Sequence, residues 1–245
     1  MQRRTLGRSA GGAMRARAGF TLVELLVVSI IIAILAALAV PAVMRAATAA
    51  QNARIKTEID MLHQAIMQYK NEYGSFPPCV NIVAGGQSNV IKHLRRIFPR
   101  ILDGNLPGAD QMPNPGTALF GWLTGYAEDA TNPLAAYPAG TPDSQKTLKR
   151  KKLFDFDTAR IKNGMFHAPN KPGSPYIYID SAHYPFGPFA TPAGPYDTVR
   201  DSSGTPFNTE TFQILCAGRD EKFGTDDDMS NFWPGTRKDY LDSLK

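Results

Sequence analysis

The sequence predicts an α+β chain: one long N-terminal helix, its first half transmembrane, packed on a small antiparallel β-sheet head with long loops. Three observations predict it. Residues Phe20–Met44 read FTLVELLVVSIIIAILAALAVPAVM, with Glu24 as the single charge. Ile55, Ile59, Leu62, Ile66, Tyr69 and Tyr73 then recur at steps of 4, 3, 4, 3 and 4, which is one face of an amphipathic helix. Two β-rich runs, Pro175–Ile179 and Thr211–Cys216, come late and are bounded by Gly, Ser and Pro.

The apolar block is long enough to span a bilayer, which takes about 20 residues as a helix. Ahead of it, residues 1–19 hold Arg3, Arg4, Arg8, Arg15 and Arg17 and no acid. That charge favours a cytoplasmic N-terminus and puts the residues after about 45 on the far side. A secretory signal peptide fits poorly, because its apolar core runs only about 7–15 residues and a small-x-small cleavage site should follow promptly. The net charge of +5 comes from the leader: without its five arginines the basic and acidic residues are equal in number. No nucleic-acid partner is implied.

Glu24 needs a purpose. A carboxylate inside an apolar membrane helix costs about 2.5–3.5 kcal/mol, so it should have a partner. Pro41 removes a backbone hydrogen bond near the end of the block, and a kink or break is expected there. Beyond it the helix continues through residues 45–74, with Arg54, Lys56, Glu58, Asp60, Gln64 and Lys70 on the face opposite the apolar one. Gly74 stops it and Pro77-Pro78 forbid its return.

The head, residues 75–245, opens with a variable middle region, residues 80–170. Apolar runs Val90–Ile101 and Thr117–Tyr126 alternate there with the Pro/Gly-rich stretches Leu106–Gly116 and Asn132–Pro142. One or two short helices among long loops are expected. The basic run Lys146, Lys149, Arg150, Lys151 and Lys152 has no interleaved aromatics, so it reads as a solvated loop rather than a groove for single-stranded nucleic acid.

Cys79 and Cys216 are the only cysteines. Outside the cytoplasm a disulfide between them is permitted, and closing so long a loop stabilises by roughly 4–5 kcal/mol in the chain-entropy model. Two buried free thiols are the alternative. His63, His93, His167 and His183 show no ligand spacing. Gly7-Arg8-Ser9-Ala10-Gly11 matches G-x-S-x-G by chance, since a nucleophile elbow needs a strand before it and a helix after it. Nothing positive points to an enzyme.

After the last β-rich run comes a loop, residues 217–233, with Asp220, Asp226, Asp227 and Asp228 close together. Hard oxygen ligands on a loop with glycine turns suit Ca²⁺, although the spacing is not that of an EF-hand.

Two stretches carry a resemblance. Gly19-Phe20-Thr21-Leu22-Val23-Glu24 resembles the class III leader of type IV prepilins and type II secretion pseudopilins, and YKNEYGSFPP resembles the end of the long helix in pseudopilins. The resemblance implies that a prepilin peptidase cuts between Gly19 and Phe20 on the cytoplasmic side and methylates the new amino terminus of Phe20. It implies that Glu24 pairs with the free amine of Phe20 on a neighbouring subunit and sets axial register. The acidic loop resembles the C-terminal calcium loop of the major pseudopilin, with Gly218, Asp220, the Asp226–Asp228 cluster and Asn231-Phe232-Trp233 matching. Ala217 stands near the usual small polar residue and Glu221 replaces the usual glycine. The implied Ca²⁺ ligands are Asp220, two of Asp226, Asp227 and Asp228, and the backbone carbonyl of Ala217.

The function so implied is a structural subunit of a type II secretion pseudopilus, single-pass in the inner membrane with its C-terminal head in the periplasm or on an extracellular filament. Its partners would be itself, other pseudopilins, the prepilin peptidase and the inner-membrane assembly platform. The alternatives are a type IV pilus subunit for adhesion, motility or DNA uptake, and a binding head on a pilin-type anchor.

Overall fold

The computed structural model describes residues 19–135, 149–169, 174–191 and 194–245. The leader up to residue 18, the second half of the stretch Asn132–Pro142, and Lys146 lie outside them. In chain order the elements are α1 (Leu22–Tyr73), β1 (Val83–Ala84), β2 (Gln87–Ser88), α2 (Asn89–Ile97), α3 (Ala118–Leu123), β3 (Tyr126–Ala127) and β4 (Arg150–Lys151). Then come β5 (Ile161–Lys162), β6 (Met165–Phe166), β7 (Ile177–Asp180), β8 (Phe189–Thr191), β9 (Gly194–Tyr196), β10 (Phe212–Cys216), β11 (Met229–Ser230) and α4 (Arg237–Ser243). Short 3-10 turns fill several of the connections. The chain divides after Thr48 into two compact units.

In the N-terminal unit α1 runs without interruption through Pro41. The expected break is absent. Proline deprives the helix of one donor, that to the Ala37 carbonyl, and the turns on either side keep their own bonds. Every residue from Phe20 to Met44 is exposed.

The second unit, Ala49–Lys245, is built on the rest of α1. Ile55, Ile59, Leu62, Ala65, Ile66 and Tyr69 are buried, the predicted face with Ala65 added; Tyr73 is half-buried. Gly74, at φ +78° and donating to the Lys70 carbonyl at 2.7 Å, ends the helix as a left-handed cap. The sheet against which this face packs has strand order β11-β10-β7, antiparallel throughout. All residues of β7 and β10 are buried, the polar Asp180 and Gln213 included, so these strands are covered on both faces. His63 and Phe76 lie against Phe212 with ring centroids 4.8 and 5.2 Å apart.

Glu58 departs from its predicted solvated face. Positions 55, 58 and 62 share a helix edge, and the Glu58 carboxylate turns inward. It accepts from Arg160 Nη1 at 2.9 Å, from Arg160 Nη2, and from the Tyr176 hydroxyl at 2.5 Å. The middle region supplies the two expected helices, α2 and α3. Ser88 caps α2 by accepting from Ile91 N at 3.2 Å. Buried polar atoms find partners at the junction with α1: Tyr69 Oη bonds His93 Nε2 at 2.8 Å and Tyr126 Oη at 2.7 Å, and Trp122 Nε1 donates to Pro78 O at 2.9 Å. In the described part of the basic run Lys149, Lys151 and Lys152 are exposed, as expected of a solvated loop, and Arg150 is half-buried. Arg150 donates to the carbonyls of Gly125, Leu134 and Ala135, and Lys151 pairs with Glu72 at 2.8 Å. Gly125 permits this crossing: at φ +85°, a Cβ there would lie 2.0 Å from the Lys151 carbonyl oxygen.

Cys79 and Cys216 are free and buried, so the permitted disulfide is not formed. The topology explains why. Cys79 N donates to Asp180 Oδ2 at 2.8 Å, and Asp180 faces Phe212 across the ladder. Cys216 lies four residues further along β10, roughly 13 Å at about 3.3 Å per residue, whereas a bridge needs Cα atoms about 4.4–6.8 Å apart. Burial pushes the Cys216 thiol up to about 12 and Cys79 well above its ordinary value. Iodoacetamide should therefore label neither thiol in the folded protein and both in non-reducing denaturant. No labelling in denaturant would mean a bridge.

Candidate functional site

The first candidate region is the start of α1. Gly19 and Phe20 precede the helix and are exposed. A Cβ built on Gly19 meets nothing within 4 Å, so packing in this chain does not require glycine there. Glu24 already has a partner within its own chain. Its Oε2 accepts from Thr21 N and Thr21 Oγ1, both at 2.9 Å, and Thr21 Oγ1 accepts from Glu24 N at 3.2 Å. This reciprocal pair is a capping box. Its T-x-x-E signature is present in the sequence, with Thr21 as the cap.

The second is the acidic loop after β10. Its base is closed by the pairing of Cys216 with Met229 and by Asn231, whose Oδ1 accepts from Ile214 N at 2.9 Å and whose Nδ2 donates to Phe212 O at 3.2 Å. Phe232 stacks on Phe207 with centroids 4.7 Å apart. The loop turns at Gly218 and Gly224, with φ of +62° and +88°, and at Glu221, with φ +62°. A Cβ at Gly218 would lie 2.3 Å from the Asp227 carbonyl oxygen. Glu221 thus sits in a left-handed conformation at the position where the resemblance expects glycine. That conformation costs an L-residue about 1–2 kcal/mol, partly offset because glycine is freer when unfolded. Glu221→Gly should raise the melting temperature by about 2–4 °C for about 1 kcal/mol net, measured by calorimetry.

The aspartates take different roles. Asp227 points into the loop. Its Oδ2 accepts from Arg219 N at 2.6 Å and Asp220 N at 3.1 Å, and its Oδ1 from the Thr225 hydroxyl at 2.8 Å. Burial raises its carboxyl, but the hydrogen bonds outweigh burial and hold it below the ordinary range. Asp228 is 2% exposed and accepts from Gly224 N at 2.6 Å. Burial, with the Asp227 charge adding to it, pushes its carboxyl up to about 7. The Thr225 hydroxyl lies 3.5 Å from Asp228 Oδ1 as well, so Asp227 and Asp228 flank one hydroxyl. Asp220 and Asp226 are exposed on the rim and Ala217 is buried at the end of β10. Two carboxyl groups thus lie side by side, one ionised and bonded to its own loop and the other keeping its proton up to near neutrality.

Among the described residues, the cluster whose three metal-ligating atoms lie within 4.8 Å of one another is elsewhere: Cys79, Asp180 and His183, all buried. Sequence spacing could not reveal it, because Cys79 and Asp180 are 101 residues apart. The cluster is internally satisfied. Asn89 Oδ1 accepts from Ile82 N at 2.7 Å, so its Nδ2 faces Val80 O at 2.9 Å and His183 Nε2 at 2.7 Å. The imidazole then accepts at Nε2 and donates from Nδ1 to Asp180, 2.6 Å away. The group staples the segment after α1 to the end of β7.

Residues 14–40 match the family model of the prokaryotic N-terminal methylation motif. No curated protein and no solved structure matches the chain. The motif indicates a type IV pilin-like or pseudopilin subunit, a precursor processed by a prepilin peptidase and assembled into pilin-type polymers. The apolar first half of α1 is long enough to cross a membrane once and fits a membrane-anchored, single-span pilin.

Proposed function

We propose that the chain is a structural subunit of a type II secretion pseudopilus, anchored in the inner membrane and polymerising through α1, with its head in the periplasm. The observation that carries this reading is the joining of the methylation motif to a C-terminal acidic loop closed by Asn231. Prepilin peptidase, other pseudopilins and the inner-membrane assembly platform are the partners it requires. The long middle region favours a type IV pilus subunit instead, but the free thiols remove the stapled C-terminal segment that would have argued for a surface fibre. A strain lacking the gene tests the choice. Loss of extracellular proteins with surface fibres intact supports the pseudopilus; loss of fibres with normal secretion makes the chain a pilus component.

The calcium role is part of the same proposal. Asp227 and Asp228 would hold the ion, with Asp220 and Asp226 on the same loop, and Ca²⁺ would add positive charge beside this adjacent acidic pair. Because the Asp228 carboxyl is raised in the folded state, its stabilising share is complete below about pH 4 and is lost as pH rises through about 7. His93, lowered to about 4 chiefly by burial, has the opposite slope, so the test is the difference between the chain and Asp228→Asn. The detergent-solubilised chain should lose melting temperature relative to Asp228→Asn between pH 4 and 7, and Ca²⁺ should restore it at pH 8. No Ca²⁺-dependent shift at pH 8 removes the calcium role and leaves the pseudopilus reading to the genetic test.

A further inference from the structure

Helix α2 carries Lys92, Arg95 and Arg96 and no acidic residue. Arg95 is paired with Asp103 at 2.6 Å. Lys92 and Arg96 are exposed, and among the described residues neither has a carboxylate partner. They stand four positions apart, so their side chains are neighbours on the helix surface, and like charges at that spacing destabilise a helix.

Both line one open cavity of about 330 Å³, between α2, the segment after α1 and the end of β7. Ser75, Asn89, His93, Asp180 and His183 supply the other polar side chains of its wall, and their acceptors are already filled from within the protein. Asp180 is 4% exposed; its Oδ2 accepts from Cys79 N at 2.8 Å and its Oδ1 faces His183 Nδ1 at 2.7 Å. Asn89 Oδ1 accepts from Ile82 N, and Asn89 Nδ2 donates to His183 Nε2 at 2.7 Å. Ser75 Oγ accepts from Arg96 Nη2. His93 bonds the Tyr69 hydroxyl through Nε2 at 2.8 Å and the Ser75 hydroxyl through Nδ1 at 3.3 Å.

What remains free on the polar wall is donors: the ammonium of Lys92 and the guanidinium N–H groups of Arg96 that Ser75 does not take, neither side chain having any acceptor. A metal ion would find two positive charges there. A neutral polyol would leave its own hydroxyl hydrogens without acceptors. A group that only accepts, and that carries more than one negative charge, meets both side chains and relieves their repulsion. A phosphate monoester has three acceptor oxygens and about −1.5 to −2 charge at pH 7, and a guanidinium receives phosphate oxygens in a fork that fixes their orientation. Phe76 also lines the cavity, and Lys70 Nζ lies 4.3 Å from its ring centroid, which adds a third positive charge close by.

We propose that this cavity binds the terminal phosphate of a phosphate monoester, with Lys92 and Arg96 as its charged contacts. Arg96, braced on Ser75, orients the group, and Lys92 supplies charge. The site goes beyond the assembly reading and does not depend on it.

The test is a calorimetric titration of the detergent-solubilised full chain, run in EDTA so that no calcium bridges the anion to the acidic loop. The probes are inorganic phosphate, glycerol 1-phosphate and a short-chain phosphatidic acid, with acetate and glycerol as controls. Saturable binding of at least one phosphate probe is expected. Saturation by inorganic phosphate or glycerol 1-phosphate assigns a soluble ligand, and saturation by phosphatidic acid alone assigns a lipid headgroup. Lys92→Ala and Arg96→Ala should each weaken binding about tenfold, the scale of one lost hydrogen bond to a charged group, while Lys92→Arg retains it. Lys152→Ala, which removes an exposed cation elsewhere, should leave it unchanged. Absence of saturation with every phosphate probe overturns the proposal, as does an equal response to acetate or glycerol. Equal binding by the double variant Lys92→Ala with Arg96→Ala, its melting curve showing a folded head, overturns it too. The gene-deletion phenotype that tests the pseudopilus reading is unaffected by any of these outcomes.

Discussion

Replacing Glu58 with alanine should lower the melting temperature of the head by about 6–12 °C. The carboxylate receives both terminal nitrogens of Arg160 and the Tyr176 hydroxyl, and the paired side chains are only 15% and 18% exposed. Removing one member of a buried pair leaves the other charge desolvated and alone, which costs about 3 kcal/mol or more. For a unit of this size each kcal/mol moves the midpoint by about 2–4 °C. Arg160 also lies 4.4 Å from the Phe166 ring centroid and donates to the His167 carbonyl at 2.8 Å, so Arg160→Ala should cost at least as much. Glu58→Gln, which keeps the shape and loses the charge, should fall between. A shift under about 2 °C in calorimetry for Glu58→Ala would mean that water replaces the pair.

Glu24→Ala should abolish polymer assembly while leaving the chain inserted and the head folded. Within one chain, Glu24 closes a capping box with Thr21, and losing a cap costs a helix only about 1 kcal/mol. That is too little to prevent insertion of a block this apolar. A contact with a neighbouring Phe20 amine would be lost outright. Thr21→Val separates the two roles, since it removes the side-chain half of the box and keeps the carboxylate. Normal assembly by Thr21→Val beside failure of Glu24→Ala assigns the defect to the intermolecular contact. Equal failure assigns it to the cap. Normal polymer from Glu24→Ala, measured in sheared membrane fractions, would end the register role altogether.

Much of this architecture was legible because its signals are local. The 4-3-4-3 recurrence from Ile55 to Tyr69 marks a helix face without knowledge of what covers it. The runs ending at Ile179 and Cys216 became β7 and β10 with boundaries shifted by a residue or two. Long-range pairings were not legible. Nothing in the sequence joins Glu58 to Arg160 or Cys79 to His183, since each pair is created by the sheet. The cysteines show the same limit: compartment permits a bridge, and only ladder register favours the alternative of two buried thiols. In the acidic loop the reading recognised residue types but not their directions, so Asp227, which binds the backbone of its own loop, looked equivalent to exposed Asp226.

The exposure of every residue from Phe20 to Met44 has a consequence for how this chain meets its own copies. A helix with so bare an apolar surface does not travel through water as a monomer, so its encounters occur in a plane. The variable that governs self-association is then the number of chains per unit area of bilayer, not molarity. A cell that enlarges its membrane without making more of the protein dilutes it laterally and slows nucleation. One that confines the same number of copies to a small patch favours it, with no change in any contact.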